Sequence, residues 1–529
     1  MKEPALPTVS LTSSPSPRPL RFLIIGAGSR GTAYARAVTT ATQGTIYAVA
    51  EPHPFKRRHL GRSYIWGEHG TPQDGQEFPD WRSWLQWELQ RRESNNDPRV
   101  GVDGVFICTL DSTHVEILHA IAPLRLHILC EKPLALSLND CLSVYRALSP
   151  NLSTNIFSIG HVLRYSPHNI LLRKLLLLDR VIGDIVSLEH TEPVGFWHFS
   201  HSYVRGNWRR ETPNGDGSLL TKSCHDIDFI MWLLSSPPTD TDTKTTPHHP
   251  RTITSSGSLT QFRKTRKPPA AGDATNCLSC PAERDCVYSA VRIYNDMHVA
   301  KGDIDWPVNI VCEDIEDIIT PPRNSKDTPM TQESIQLAQS HLLTRLGENY
   351  TTTTATTDPE TIHSRPWYGR CVYESDNNVC DDQTVTITWD GEAPKTALFH
   401  MIAPTEKQCE RRGRIYGTLG EISYDSRTIT IYSFQTRETT TITVPKRPPE
   451  EEKAHGGGDY GLARSFVDAV DAVVNKGVGV REAQRRFVGC DLEEAVRSHA
   501  VVFAAEEARR EEKVVKWREW WGEKMGELL

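Results

Sequence analysis

Short apolar runs bounded by polar turns recur through the first third of the chain, and they alternate with segments whose apolar positions fall at helical spacing. Residues 22–25, 46–49, 104–109, 126–130 and 155–160 read as buried strands, while residues 32–38 and the segment opening at Thr113-His114-Val115-Glu116 read as helices. Repeated strand–helix units over residues 21–160 predict a parallel sheet with helices on both faces. The pattern then changes. Residues 383–389, 395–401 and 428–434 alternate apolar and polar positions, as strands do when one sheet face is covered, so residues 161–447 are expected to form a second α/β domain with a large open, mixed or antiparallel sheet. Two stretches rich in Thr, Ser and Pro, near 235–274 and 323–365 (with the run of threonines at 351–354), are expected as mobile inserts. Residues 1–20 read as a disordered tail. Residues 448–529 read as a linker and C-terminal helices, with Trp517, Trp520 and Trp521 packed on the body or closing an interface.

The first strand runs into Gly26, Gly28 and Gly31, with Ser29 and Arg30 between them, and a helix follows. In this pattern Gly26 allows the tight turn, Gly28 lets backbone approach a pyrophosphate, and Gly31 lets helix and strand pack closely. Helix N-terminal N–H groups then face the phosphates. Glu51 ends the second strand, 20 residues beyond Gly31, where a carboxylate accepts hydrogen bonds from ribose hydroxyls and favours NAD. Arg30, His53, Lys56, Arg57 and Arg58 are placed to embrace a 2′-phosphate, which leaves NADP open. In open α/β sheets the ligand lies beyond the carboxyl ends of the strands, so Thr109, Asp111, His114, Glu131 and Lys132 are expected around the cofactor.

Composition narrows the alternatives. With 529 residues, 38% hydrophobic and 24% charged, the chain is ordinary for a globular protein of two or three domains, and a net charge of -7 with scattered cations argues against nucleic-acid binding. No apolar run approaches the roughly 20 residues of a membrane span; the richest, 170–178, contains Arg173 and Lys174. With no secretory signal and with Cys108 and Cys130 inside apolar strands, a cytoplasmic location is expected.

Alcohol oxidation needs a base beside the reacting carbon and a group to hold the developing alkoxide. Lys132, just past a strand end, suits that task; pairing with Glu131 is the simpler alternative. His225 opens a helical segment whose dipole disfavours imidazolium, and Asp228, three residues on, is positioned to orient it; a helix cap is the alternative. Residues 197–210 carry Trp197, His201, Tyr203, Trp208 and Arg209, aromatic faces and polar tips that suit either a sugar or a packed domain seam. Arg164, Lys222 and Asp228 complete the candidate substrate contacts. Cys277, Cys280 and Cys286 form a C-x2-C-x5-C run whose fourth ligand for structural zinc would be Cys312, Cys224 or His298; idle thiols and an iron–sulfur cluster are the alternatives.

FLIIGAGSRG, VFICTLDSTH, CEKPLALS, GHVLRYSP, SCHDIDFIMWL and RIYGTLGE occur in an order that resembles the Gfo/Idh/MocA family. The resemblance implies an N-terminal Rossmann domain, a C-terminal α/β domain whose open sheet forms a homo-oligomer interface, and NAD(P)-dependent oxidation or reduction of a ring hydroxyl on a sugar or cyclitol, with Lys132 and His225 as the proton-handling pair. The chain departs from the pattern at Thr221, where the family often has an aspartate, and leaves Asp226, Asp228 or Lys222 to substitute. The family also admits NAD-dependent glycosidases acting by transient oxidation and elimination, for which the His455-Gly456-Gly457-Gly458-Asp459 stretch is a candidate element. A catalytically idle nucleotide-binding sensor is a third reading.

Overall fold

A computed structural model describes residues 18–94, 100–212, 216–237, 246–319, 329–350, 359–452 and 455–526. The expected tail, apart from residues 18–20, and the threonine run at 351–354 lie outside them. Six strands, β1 (Leu20–Ile25), β2 (Gly44–Ala50), β3 (Glu77–Phe78), β4 (Gly104–Ile107), β5 (His127–Cys130) and β6 (Phe157–Ile159), form a parallel sheet in the order β3-β2-β1-β4-β5-β6. The strand order reverses between β1 and β4, which opens a crevice beyond their carboxyl ends. β1 is apolar at nearly every position because the sheet is covered on both faces. One cover comes from the far end of the chain: Phe466, in the helix Gly458–Val474, packs its ring 5.8 Å from Phe22 and 5.3 Å from Phe106.

Nine strands build the second sheet: β7 (Ile185–Pro193), β8 (Thr252–Ser258), β9 (Asp382–Trp389), β10 (Lys395–Ile402), β11 (Arg412–Gly417), β12 (Gly420–Tyr424), β13 (Thr428–Ser433), β14 (Thr439–Thr443) and β15 (Val515–Lys516), in the order β14-β13-β12-β11-β7-β10-β9-β8-β15. Only β7 and β10 run parallel. Alternation on β7 sends Leu188, His190 and Glu192 inward against the helix Cys224–Leu234 and leaves Glu189 outside, while a register shift against β11 turns Val186 outward as well. This is the Rossmann-plus-mixed-sheet architecture the sequence implies.

The insert expectations need correction. Residues 252–258 are strand β8: Thr252, Ile253 and Thr254 are β-branched, Ile253 is buried, and hydroxyls fill the outer positions. Within 323–365 lies the helix Gln332–Gly347, whose Ala338, Leu342 and Leu346 repeat every four residues and pack a third core with Ile293, Tyr294 and Val308. Nor is the C-terminal region peripheral. The helix Leu492–Arg510 places Leu492, Ala495 and Val496 in the first core and Ala500, Val501 and Ala504 in the second, and Trp517 and Trp520 are buried within the chain.

Candidate active site

A continuous cleft of about 2010 Å³ runs from the glycine loop, past the ends of β4 and β5, to the face of the second sheet. At the loop, Gly26 adopts φ +93°, and a Cβ there would lie 2.7 Å from the Cys108 carbonyl oxygen. A Cβ on Gly31 would sit 1.9 Å from the Gly26 oxygen, whereas one on Gly28 would meet no protein atom within 4 Å. Packing therefore does not require glycine at Gly28, and the open space beside it leaves room for a pyrophosphate to approach the backbone. Glu51 accepts hydrogen bonds from the Ala27 and His53 backbone N–H groups at 2.7 and 2.8 Å and remains on the cleft wall with Ser29, Thr109 and Asp111.

Two of the expected phosphate ligands are otherwise engaged. Arg57 donates to Glu77 (2.9 Å) and to the Glu51 carbonyl (2.6 Å), tying β2 to β3, and does not line the cleft. Arg30 lines it, yet its guanidinium donates to Glu131 (2.8 Å), Asp459 (2.9 Å) and Tyr34 (2.8 Å). Asp459 also takes His455 Nδ1 at 3.1 Å, so the glycine-framed histidine braces the cofactor end of the cleft. Burial opposes the Glu131 charge, and Arg30 outweighs it, holding the carboxyl below its ordinary value. His114 is a correction: buried, with its ring nitrogens on the carbonyls of Pro133 (2.8 Å) and Thr109 (3.3 Å), it fixes the strand ends and stays out of the cleft.

Lys132 and His225 open onto the same cleft from opposite domains. Lys132 Nζ donates to the Thr221 carbonyl at 2.9 Å, so the residue that departs from the family pattern meets the lysine through its backbone; its hydroxyl donates to Gly217. His225 Nε2 lies 3.0 Å from Asp226 Oδ2 and 2.5 Å from Arg411 NH2, and its buried Nδ1 has no hydrogen-bond partner among the described residues. Burial lowers the His225 pKa, against the pull of Asp226, and keeps the ring neutral at neutral pH. A buried carboxylate not singled out in the sequence, Glu192 near the end of β7, faces the same cluster. It sits 3.3 Å from Lys222 Nζ, 3.8 Å from His225 Nε2 and 2.6 Å from Arg411. Burial and Asp226 oppose its ionisation, and Lys222 and Arg411 overcome both, leaving it at about 2. Burial likewise works against the Lys222 cation, which Cys409 (3.1 Å away) and Glu192 hold above its ordinary value.

His201, Tyr203 and Trp208 line the substrate end, with Trp208 Nε1 donating to Asp111 across the domain boundary at 2.8 Å. Lys222 also lines the cleft, and Arg164, Asp228, Arg209 and Trp197 are structural. Arg164 and Asp228 form a bidentate pair (2.6 and 2.7 Å), which His161 joins at 3.0 Å, behind the cleft. Arg209 is held by Asp376 and backbone carbonyls, and Trp197 packs on Trp306 and His298. Asp226, not Asp228, orients His225. The sequence reading missed Glu192, Cys409 and Arg411, and also His198, which lines the cleft with Nδ1 3.6 Å from Cys409 Sγ. A charged residue in phase with Leu188 and His190 on β7 was the one signal available for Glu192.

Fold and cleft thus define a Rossmann-type parallel sheet and a C-terminal mixed sheet that share one cleft. Residues 20–154 match the family described as "Oxidoreductase family, NAD-binding Rossmann fold", and residues 174–253 match "Oxidoreductase family, C-terminal alpha/beta domain". Over these two stretches, 215 of the 529 residues, the chain matches the Gfo/Idh/MocA family. Among curated relatives, 2,7-anhydro-N-acetylneuraminate hydratase of Escherichia coli is 29% identical over 137 residues, 26% of this chain and 35% of the relative. Inositol 2-dehydrogenase 2 of Paenarthrobacter aurescens is 28% identical over 146 residues, 26% of this chain and 39% of the relative. The matched region therefore spans little more than a third of either relative. An inositol dehydrogenase homolog from Azotobacter vinelandii complexed with NAD+ superposes with a TM-score of 0.57 at 14% identity, covering 96% of this chain and 100% of that one. A levoglucosan dehydrogenase in complex with NADH and levoglucosan gives 0.55 at 15% identity, covering 94% and 99%. Among the described residues no helix is long and apolar enough to cross a membrane.

Proposed function

We propose that this chain is an NAD-dependent oxidoreductase acting on a secondary hydroxyl of a sugar, cyclitol or derivative. The observation that carries the reading is the convergence of the glycine loop, Lys132, His225 and the aromatic wall on one cleft. The Gly26–Gly31 turn and Glu51 would hold the dinucleotide, which when bound accepts or returns a hydride. Lys132, fixed by the Thr221 carbonyl, offers its ammonium to the substrate oxygen and stabilises alkoxide character there. His225, held on the cleft wall by Asp226 and Arg411 and kept neutral by burial, would exchange a proton with a bound hydroxyl. His201, Tyr203 and Trp208 offer ring faces to sugar C–H groups and polar tips to hydroxyls.

Nicotinamide absorbance across a panel of sugars and cyclitols, with NAD and NADP, tests the reading. Lys132→Met and His225→Asn are each expected to lower kcat at least a hundredfold while NADH still binds; unchanged turnover in both would overturn it. The similarity to a hydratase supports a second reading, transient oxidation followed by elimination, which would release product without NADH accumulating. We also read the outer face of the second sheet, where Val186 and Leu398 are 49% and 44% exposed, as a homodimer surface, to be checked by light scattering.

A further inference from the structure

The Cys277–Ser279 turn lies in the third core, away from the cleft floor, and its setting answers which residue completes the cysteine run. A single antiparallel bridge joins Asn276 to Arg370. It is closed on either side by hydrogen bonds from Cys277 N to the Gly369 carbonyl and from Cys371 N to the Thr275 carbonyl, both 2.9 Å. Cys277 and Cys371 are thereby diagonal neighbours on one face of the bridge. Cys280 N returns to the Cys277 carbonyl (3.2 Å), and Glu283 N and Cys286 N make the next two turns onto Cys280 and Glu283 (3.1 Å each), so the run coils back towards that face. Cys277 Sγ, buried, accepts N–H groups from Ala290 at 3.4 Å and from the Arg205 guanidinium at 3.5 Å.

The candidates available from sequence do not share this setting. His298 Nδ1 is bonded to Asp303 (2.9 Å), and Cys224 opens the catalytic helix. The ionisable groups that act on Cys312 are Asp314, Arg345 and Glu348, with no thiol among them, whereas Cys371 and Cys286 are each within electrostatic reach of Cys277 and Arg205.

We propose that Cys277, Cys280, Cys286 and Cys371 form a four-thiolate zinc site that pins the 277–286 loop to the 367–373 segment and so fixes the aromatic wall of the cleft. Binding releases the four thiol protons and leaves a site of charge −2, with the Arg205 cation beside it. No three of the four sulfurs lie within 4.8 Å of one another. Cys280 and Cys286 are only half-buried, and the site requires both side chains to turn inward when the metal binds. Arg205 carries the consequence to the cleft: it also donates to the carbonyls of Arg370 and Tyr288 (2.7 Å each) and ends the helical segment Ser200–Arg205 that bears His201 and Tyr203.

The full chain, produced in zinc-supplemented medium, is expected to carry one zinc per chain by elemental analysis. X-ray absorption should show four sulfur neighbours at about 2.3 Å. Cys371→Ser should reduce retained zinc at least tenfold, and Cys312→Ser should leave it unchanged. Zinc lost from Cys312→Ser but kept in Cys371→Ser, a nitrogen or oxygen in the first shell, iron with acid-labile sulfide in place of zinc, or no metal at all would each overturn the proposal. The absorption measurement on the unmodified chain decides the matter even if Cys371→Ser fails to fold.

Discussion

Adding one methyl group at two glycines three residues apart should separate binding from folding. At Gly31 the new Cβ would lie 1.9 Å from the Gly26 carbonyl oxygen and 3.0 Å from Ile24 Cγ2, and the carbonyl belongs to a turn already fixed at φ +93°. Opening that contact shifts backbone by more than an ångström, an overpacking cost of about 1–3 kcal/mol. At roughly 2–4 °C per kcal/mol for a domain of this size, Gly31→Ala should lower the first thermal transition by about 2–12 °C. At Gly28 the backbone sits at φ −71°, ψ −163°, which alanine adopts freely, and no protein atom lies within 4 Å of the added carbon. Gly28→Ala should therefore melt at the wild-type temperature or slightly above it, since alanine costs the unfolded chain about 0.4–1 kcal/mol of entropy relative to glycine. Its methyl nonetheless enters the space a pyrophosphate needs, and NADH affinity should fall at least tenfold, about 1.4 kcal/mol. Differential scanning fluorimetry and NADH fluorescence titration read the two effects separately. If Gly28→Ala binds NADH as the wild type does, or melts as early as Gly31→Ala, the assignment of the cleft mouth to a dinucleotide fails.

Asp228→Asn would leave the buried Arg164 guanidinium with Glu494 alone, a loss of about 3–5 kcal/mol seen as a lower urea midpoint with KM unchanged; a stable variant with altered KM would return Asp228 to the substrate site. Glu192→Gln should cut kcat at least tenfold and move the alkaline limb of the pH–rate profile to lower pH, because Lys222 loses a carboxylate that holds its pKa up; an unmoved limb would contradict the coupling. Burial depresses His127 to about 4, with Arg18 adding to the effect, and His499 to about 3, with His161 adding. Below about pH 6.5 the unfolded chain therefore binds more protons, and stability present at pH 7.5 is lost as pH falls, on the order of 2 kcal/mol per histidine at pH 5. Equal urea midpoints at pH 7.5 and 5 would refute this.

What the sequence made legible was local. The glycine turn, Glu51 and the β1–β6 alternation with helices are each encoded within about 30 residues, and their spacing alone sets their geometry. The alternation on β7, β9 and β10 likewise identified the second sheet. Partner choice over long separations was not legible. The helix Cys224–Leu234 is buried on every side, so spacing cannot say which of Asp226 and Asp228 faces the cleft; the inward His190 and Arg411 take the first, and Arg164 and His161 take the second. Hydroxyl-rich segments misled for a related reason. Thr and Ser supply both disordered linkers and the exposed positions of outer strands, and only the β9 partner distinguishes the two for β8.

Arg30 shows how such distant pairing bears on cofactor choice. From sequence it is a candidate for a 2′-phosphate, but its guanidinium lies on Glu131, which follows β5, and on Asp459, which is 429 residues away in the chain. Glu51, the ribose-side acid, follows β2. In the order β2-β1-β4-β5 those two strand ends are three spacings apart, about 14 Å at roughly 4.8 Å per strand. Arg30 is thus on the wrong side of the crevice to reach a phosphate beside Glu51, and its charge is already balanced by two carboxylates. Arg30→Ala should therefore weaken NADH and NADPH binding by the same factor, leaving their ratio within about twofold. Glu51→Ser removes the anion that repels a 2′-phosphate while Lys56, Arg58 and His59 still line that end of the cleft, so it should shift the ratio towards NADPH at least tenfold. Paired titrations of both variants with both dinucleotides are decisive: a change in selectivity confined to Arg30→Ala would mean that the 2′-position is read at the β5 end, and the placement of the dinucleotide along the crevice would have to be reversed.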